Sequence, residues 1–272
     1  MIAPRGALVG IGSNAVVVIA RNDCVLKRPL RSHKFDLLYM EHQLLEIMSE
    51  HPDIIQSRGL TAEGLLLERA LNGDLRSYLD DHPATTEAQR RKWCLELTQA
   101  VKQDNLLLDH KLTLKLADFQ GQLLTKTGEV ALDALAVESA RHWLPRMPRD
   151  HASVRSELFA LGSTIHFIMS GKPVFADLGD DPDDEIVSER FIEGYDPGDV
   201  HIFSRVVKKC WEQRYLCAEE VIRDLDRLCN SMDLVDHEAS DEEIMGLCKC
   251  KGSEVAVEPL EVRCLMIGRP ER

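Results

Sequence analysis

The sequence predicts an α+β protein whose strands precede its helices along the chain. Short runs of β-branched and aliphatic residues, separated by turns rich in Gly, Asn and Asp, fill residues 6–68 and are typical of β-strands. Apolar residues at helical spacing follow, and residues 158–169 are apolar over the length of a helix, which indicates a helix buried on all sides. Because 272 residues can bury a substantial core, we expect a small β-rich N-lobe at 5–70, a larger helical C-lobe at 71–232 and a loosely ordered tail at 233–272.

Five short strands and one helix are predicted in the N-lobe. The helix covers residues 36–50, where apolar side chains recur at helical spacing until Pro52 prevents its continuation. The strands are predicted at residues 8–9, 16–19, 24–27, 54–55 and 64–68.

Helices dominate the predicted C-lobe. Asp74 is placed to cap a short helix over residues 75–79. A second helix begins near Ala88 and carries Trp93 and Leu97 on one face. We expect an irregular segment at 122–155, a surface loop at the acidic run 177–185, and helices at 201–211 and 217–232.

Composition narrows the function classes. The net charge of −13 and the pI of about 5.2 disfavour a nucleic-acid backbone as a partner. No apolar stretch reaches the length that spans a bilayer, so we expect no membrane partner. The eight cysteines follow no disulfide spacing, which favours a reduced, intracellular and cytoplasmic setting. Cys248, Cys250 and Cys264 lack the paired spacing of a zinc site.

An amide and a carboxylate flank a predicted β-hairpin at residues 106–116. Asn105 precedes its first strand and Asp118 follows its second, so the fold of the hairpin can bring both side chains to one point. Mg²⁺ takes a few oxygen ligands in strict geometry and leaves its other positions to water and phosphate. The pair therefore predicts a Mg²⁺ site beside nucleotide phosphates.

The order of these elements resembles the eukaryotic protein kinase superfamily over about residues 5–230. The strings Leu-Ala-Asp-Phe-Gln-Gly at 116–121 and Ala-Leu-Gly-Ser-Thr-Ile at 160–165 are similar to those of small protein-kinase-like proteins common in filamentous fungi. Residues 10–17 follow the kinase pattern G-x-G-x-x-G-x-V, except that Ala15 replaces the third glycine. The resemblance implies a two-lobed protein-kinase-like fold that binds ATP and Mg²⁺ and transfers phosphate to protein Ser or Thr.

The same resemblance assigns roles to individual residues. Lys27 matches the lysine that neutralises the α- and β-phosphates, and Glu41 looks like its partner on the following helix, with Glu46 as an alternative. Residues 67–70 resemble the hinge at which adenine meets backbone groups, and Asn105 and Asp118 match the two metal ligands. The ATP-binding residues implied are Gly10, Gly12, Val17, Lys27, Glu41, Glu68 and Ala70.

The first half of the kinase catalytic loop is missing. In H-R-D-x-x-x-x-N the Asp accepts the proton of the attacking hydroxyl, but Ala100 stands five residues before Asn105, and Thr98 and Gln99 occupy the His and Arg positions. Only the second half of the loop remains: Lys102 stands where Ser/Thr-type kinases place a lysine near the transferred phosphate, and Asn105 stands at the Asn position. Compared with the family, the C-lobe is shortened around this loop by roughly a dozen residues, about 18 Å of helix. Glu157 also replaces the Asp that holds the loop backbone in the family.

These observations leave three hypotheses about the function. The chain is a protein-kinase family member whose phosphotransfer is lost or much reduced, either in the protein itself or through an intron or splicing artefact at this junction. Alternatively it is a pseudokinase, a scaffold or binding module without catalysis. The third hypothesis is an acidic α+β interaction protein that matches the kinase motifs by chance, which would require five features to fall in order.

Overall fold

The computed structural model describes residues 6–12, 14–47, 54–100, 106–117, 122–124, 130–133, 139–146 and 153–231. Its strands are β1 (Leu8–Ile11), β2 (Ala15–Arg21), β3 (Cys24–Pro29), β4 (Ser57–Thr61), β5 (Gly64–Glu68), β6 (Leu106–Leu108), β7 (Leu114–Leu116), β8 (Gln122–Leu124) and β9 (Val130–Asp133). Its α-helices are α1 (Phe35–Ile47), α2 (Leu75–Asp81), α3 (Glu87–Ala100), α4 (Val154–Ser170), α5 (Asp184–Ile192), α6 (Ser204–Trp211) and α7 (Ala218–Ser231).

A five-stranded antiparallel sheet forms the N-terminal part, in the order β1-β2-β3-β5-β4. Helix α1 packs against β3, β4 and β5, and buries Leu44 and Leu45 in the same core as Leu65. The strand predicted at residues 54–55 is misplaced, because β4 begins only at Ser57. Its sequence, Ser-Arg-Gly-Leu-Thr, is too polar to show the usual strand pattern, as expected of a strand at the sheet edge.

Helix α4 lies at the centre of the helical part. Twelve of its seventeen residues are buried, which confirms the prediction of a helix buried on all sides. Ser153 and Ser156 form a capping box at its start, and Gly171 ends it in the left-handed conformation that glycine adopts without strain. Gly162 allows α6 to approach closely, since a Cβ there would lie 2.6 Å from the Cβ of Cys210.

The β6–β7 hairpin is fixed to helix α3. The Trp93 indole Nε1–H donates to the Leu112 carbonyl at 2.8 Å, and the Leu114 backbone N–H donates to Glu96 Oε2 at 3.1 Å. Trp93 and Leu97 are fully buried beneath the hairpin. Asp74 caps α2 by accepting from the Ser77 backbone N–H at 2.9 Å, which confirms the predicted cap.

Two predictions for the C-lobe are wrong. The segment 122–155 is not irregular throughout, because β8 and β9 pair as an antiparallel ribbon within it. The acidic run at 177–185 does not remain a loop, because α5 begins at Asp184. Asp183 accepts from the Glu185 backbone N–H, and acidic residues in a first turn suit the positive end of the helix dipole.

The sheet followed by helices confirms the predicted α+β class and is consistent with a two-lobed kinase-like fold. The boundaries at residues 70 and 232 stay a prediction, and the tail at 233–272 lies outside the described residues. Among the described helices, none is long and apolar enough to cross a membrane.

Candidate functional site

A cleft of about 480 Å³ opens where the five-stranded sheet, α1 and the β6–β7 hairpin meet. Pockets for small molecules span roughly 300–1,000 Å³ and combine apolar walls with a few polar groups. The apolar part of this cleft includes Val17, Val25, Leu67 and Leu107. Three charged residues, Lys27, Lys34 and Glu41, lie toward α1, and Glu68, Arg69 and Asp74 line the cleft where the sheet connects to the helices. The cleft therefore offers an apolar surface to a flat ring and, toward α1, a polar end to charged groups.

The glycine-rich turn between β1 and β2 forms one edge of the cleft. Ile11 pairs with Val16, and the Gly12 backbone N–H donates to the Ala15 carbonyl at 2.9 Å. Among the described residues, a Cβ on Gly10 would meet no atom within 4 Å, and one on Gly12 would meet only the Ala15 carbonyl oxygen, at 3.7 Å. The packing of the described residues therefore does not demand these glycines. The open space beside them fits a ligand that approaches the backbone closely.

Lys27 and Glu41 form a buried ion pair at the charged end. Lys27 Nζ lies 2.8 Å from Glu41 Oε2 and 3.0 Å from Oε1, and the two side chains are 12% and 3% exposed. Lys27 projects from β3, where it stands opposite Val17 and Leu65, and Glu41 projects from α1. The alternative, Glu46, is 59% exposed and lies 3.8 Å from His42. Of the two acids, Glu41 is the one that contacts Lys27.

The segment from Glu68 to Gly73 connects the sheet to the helices and borders the cleft. On the sheet side, the Arg69 backbone N–H donates to the Asp23 carbonyl at 2.9 Å. On the helical side, the Asn72 N–H donates to the Leu108 carbonyl at 3.0 Å, and the Leu108 N–H donates to the Gly73 carbonyl at 2.9 Å. Ala70 lies between these two attachments and lines the cleft.

Two contacts hold the Glu68 side chain, and Glu68 also lines the cleft. Its Oε2 accepts from the Gln56 N–H at 3.2 Å, and its Oε1 lies 3.5 Å from Lys115 Nζ on β7. On the same strand as Lys27, burial and the adjacent Asp23 raise the pKa of the Cys24 thiol, which disfavours its thiolate form. Backbone groups and apolar side chains are thus what this wall offers to a ligand.

The predicted metal ligands Asn105 and Asp118 lie outside the described residues, as does Lys102. The hairpin between the two ligands is described: Leu106 pairs with Leu116, so the chain enters β6 and leaves β7 at the same end of the hairpin. Ala117, which directly precedes Asp118, lines the cleft. The magnesium role of Asn105 and Asp118 stays a prediction.

The positions that would hold the His, Arg and Asp of a catalytic loop are helical. Thr98, Gln99 and Ala100 form the last turn of α3, and five residues separate Ala100 from β6. Thr98 is fully buried, and its hydroxyl donates to the Cys94 carbonyl within the same helix at 2.7 Å. Glu157 lies in the first turn of α4 and is half-buried. The absence of the loop's first half stays a prediction, since residues 101–105 are outside the described ones.

The sequence analysis missed several residues that line the cleft. Val25, Leu38 and Asp74 belong to it, and so does Lys34 at the start of α1. Lys34, Leu37 or Leu38, and Glu41 recur at the spacing that places residues on one helix face. That periodicity, counted back from Glu41, was the signal that could have found Lys34.

Comparison with known proteins supports the protein kinase superfamily. The chain is 26% identical over 214 residues to the serine/threonine-protein kinase SIK1 of Rattus norvegicus. The aligned region covers 68% of this chain and 27% of that relative. It is 25% identical over 214 residues to the serine/threonine-protein kinase SIK2 of Gallus gallus. Here the aligned region covers 68% of this chain and 26% of that protein. The chain therefore spans about a quarter of the length of these curated relatives. The sequence matches no protein-family model.

Proposed function

We propose that this chain binds ATP with Mg²⁺ in the cleft and transfers phosphate to protein Ser or Thr far more slowly than an ordinary protein kinase. The observation that carries the proposal is the Lys27–Glu41 pair, buried at the charged end of an apolar cleft edged by Gly10 and Gly12. The distant similarity to two serine/threonine-protein kinases supports the same reaction class. The negative net charge of the chain and its lack of apolar stretches long enough to span a bilayer favour a protein partner in the cytoplasm over nucleic acid or a membrane.

Each part of the cleft has a task in this proposal. Val17 and the backbone of Glu68 and Ala70 receive the adenine. Gly10 and Gly12 let the phosphates approach the turn, and Lys27, oriented by Glu41, meets the α- and β-phosphates. Asn105 and Asp118 are the residues that would hold Mg²⁺, whose positive charge offsets that of the phosphates.

The expected loss of rate follows from the missing proton acceptor. A positioned general base contributes roughly 10²–10⁴-fold to a reaction rate. The residues at the corresponding positions, Thr98 to Ala100, carry no carboxylate and belong to helix α3. Electrostatic stabilisation and positioning by the remaining groups supply a separate part of catalysis, so nucleotide binding persists in this proposal although turnover is negligible.

A pseudokinase role is the second candidate, in which the chain acts only as a scaffold or binding module. It is favoured by the short connection between α3 and β6, which leaves five residues for a loop that is much longer in the family. The genomic sequence between the codons for Ala100 and Lys102 tests whether this shortness belongs to the protein. If an unspliced reading restores a His-x-Asp segment there, the full protein is an active Ser/Thr-type kinase.

Isothermal titration with Mg-ATP tests the binding proposal directly. We expect saturable binding by the wild-type chain and its loss in Lys27→Met. Lys208→Met is the matched control, because it removes the same charge from a 69% exposed side chain on α6. In a thermal unfolding assay, ATP at one hundred times its Kd adds about 2.7 kcal/mol to the free energy of unfolding. Absence of any heat or stabilisation at millimolar ATP would refute binding.

Radiolabelled ATP tests the proposal about turnover. We expect incorporation into a generic protein substrate close to the background without protein. Incorporation at the level of an ordinary kinase, abolished by Asp118→Ala, would contradict the loss of catalysis and leave the binding proposal intact.

A further inference from the structure

We propose that Lys34 is a second phosphate-binding lysine of this cleft and selects nucleotides with a long phosphate chain; this inference rests on the proposed ATP binding. Lys34 ends the short 3₁₀ turn Ser32–Lys34 that leads into α1, and its half-buried side chain lines the cleft. None of the kinase motifs described above includes this position.

The helix geometry directs Lys34 toward the same space as Glu41. The two residues are seven positions apart, which corresponds to two helical turns, and Leu37 and Leu38, which also line the cleft, lie between them. Two turns span about 10 Å along the axis. The Lys34 backbone therefore lies about that far along the axis from the Glu41 backbone, directly before α1 begins at Phe35.

The strand register places Lys34 beside the glycine-rich turn. Ala15 pairs with Pro29, and the Leu30 backbone N–H donates to the Asn14 carbonyl at 2.9 Å, so the end of β3 lies against the turn that contains Gly12. Only three residues separate Leu30 from Lys34. A phosphate chain that begins at Lys27 and follows the turn reaches this region with its outer phosphates.

The charges of the cleft explain why Lys34 matters. Glu41 already offsets the charge of Lys27, Glu68 lies near Lys115, and both carboxylate oxygens of Asp74 accept from Ser77. Among the described residues, no carboxylate lies within ion-pair distance of Lys34. Within the described part of the chain, Lys34 thus supplies a positive charge that no paired carboxylate offsets, at the polar end where the negative charge of a triphosphate would be greatest.

Among the described residues, Arg69 is the third cation that lines the cleft, besides Lys27 and Lys34, and it lies on the segment that connects the sheet to the helices. Its guanidinium donates to the Asn22 carbonyl at 3.4 Å, and its backbone is attached to the turn between β2 and β3. It therefore belongs to the end expected for adenine. The outer phosphates would meet Lys34.

The test compares ATP with AMP on Lys34→Met, with Lys208→Met as the control that removes the same charge elsewhere. Loss of a charge-assisted contact to phosphate should lower the affinity for Mg-ATP on the order of tenfold. The affinity for AMP should stay within about twofold of the wild-type value, because AMP carries no outer phosphate. Lys34→Arg should restore most of the ATP affinity, since arginine also binds phosphate.

The outcomes separate this inference from the proposed function. A wild-type chain that binds neither nucleotide refutes ATP binding, and the role of Lys34 falls with it. Unchanged ATP affinity in Lys34→Met overturns the role of Lys34 and leaves ATP binding standing. Equal losses for ATP and AMP also overturn it, because they indicate a general disturbance of the cleft. A loss confined to ATP, repaired by Lys34→Arg, supports the inference.

Discussion

Removing the positive partner of the buried ion pair should destabilise the fold. In Lys27→Met, the Glu41 carboxylate, which belongs to a residue only 2% exposed, loses the ammonium that lies 2.8 Å away. Breaking a buried pair by deleting one partner costs about 3–5 kcal/mol, since the remaining charge loses its attraction to that partner. Lys27 itself is 12% exposed, and water can reach it. We therefore expect the lower end of that range, about 3 kcal/mol.

A second substitution separates the electrostatic penalty from the loss of side-chain volume. In Lys27→Met/Glu41→Met both charges are gone, and replacing a buried pair by apolar residues is often neutral or stabilising. We expect the double variant to lie within about 1 kcal/mol of the wild type, so that the second substitution recovers at least about 2 kcal/mol of the loss caused by Lys27→Met. Neither variant should bind ATP, because both lack the lysine.

Urea unfolding, followed by tryptophan fluorescence without nucleotide, measures these differences. For a protein of this size, a loss of 3 kcal/mol lowers the Tm by about 6–12 °C. The reasoning is refuted if Lys27→Met unfolds within about 0.5 kcal/mol of the wild type. It is equally refuted if the double variant is as unstable as the single one, since the loss of the ion pair by the buried Glu41 carboxylate would then not be the cause.

Two further predictions concern the helical part. Gly162→Ala should lower the free energy of unfolding by about 1–3 kcal/mol despite the better helix propensity of alanine, because the added Cβ would lie 2.6 Å from the Cys210 Cβ. Gly162→Ala/Cys210→Gly should recover part of that loss in urea titrations, and equal instability of both would contradict the steric explanation. Acidification should also destabilise the fold, because burial and the neighbouring His166 lower the pKa of His201 to about 4, against the raising effects of Asp199 and Glu87. Because the folded state favours neutral His201, the contribution of His201 to the free energy of unfolding is complete above about pH 6.5 and is lost as the pH falls toward 4. His201→Gln should remove about 1–2 kcal/mol of this pH dependence. An unchanged slope of the free energy of unfolding against pH would exclude His201 as its source.

The parts of the fold that could be predicted have local signals. The first three strands are marked by β-branched runs and turn residues, and α4 by its continuous apolar stretch. The cap at Asp74 follows from its own side-chain chemistry. In each case the residues that determine the element lie within it.

The missed elements depend on contacts with distant residues. Helix α5 is acidic and buries only Val187, which packs against Val174 and Phe175 from the preceding segment. Its apolar pattern is therefore too sparse to outweigh the appearance of a charged loop. Likewise β8 and β9 are short and are defined only by pairing with each other.

The candidate site divides in a similar way. The order of the kinase motifs led to Lys27 and Glu41, but only the structure distinguishes Glu41 from the exposed Glu46. Lys34 has no motif of its own, and its place in the cleft depends on where α1 lies against the sheet. Spacing along a chain predicts which residues share a face, whereas packing decides what that face meets.

The connection between sheet and helices has a consequence for how the protein moves. Arg69 is bonded to the sheet side, and Asn72 is bonded to the hairpin. Ala70 and Leu71 alone separate these two attachments, so a rotation that widens the cleft without breaking them must be absorbed by the backbone torsions of two residues. Each hydrogen bond that breaks adds about 1 kcal/mol to the cost. A bulky ligand would therefore enter the cleft at a lower free-energy cost by displacing the glycine-rich turn than by rotating the sheet against the helical part.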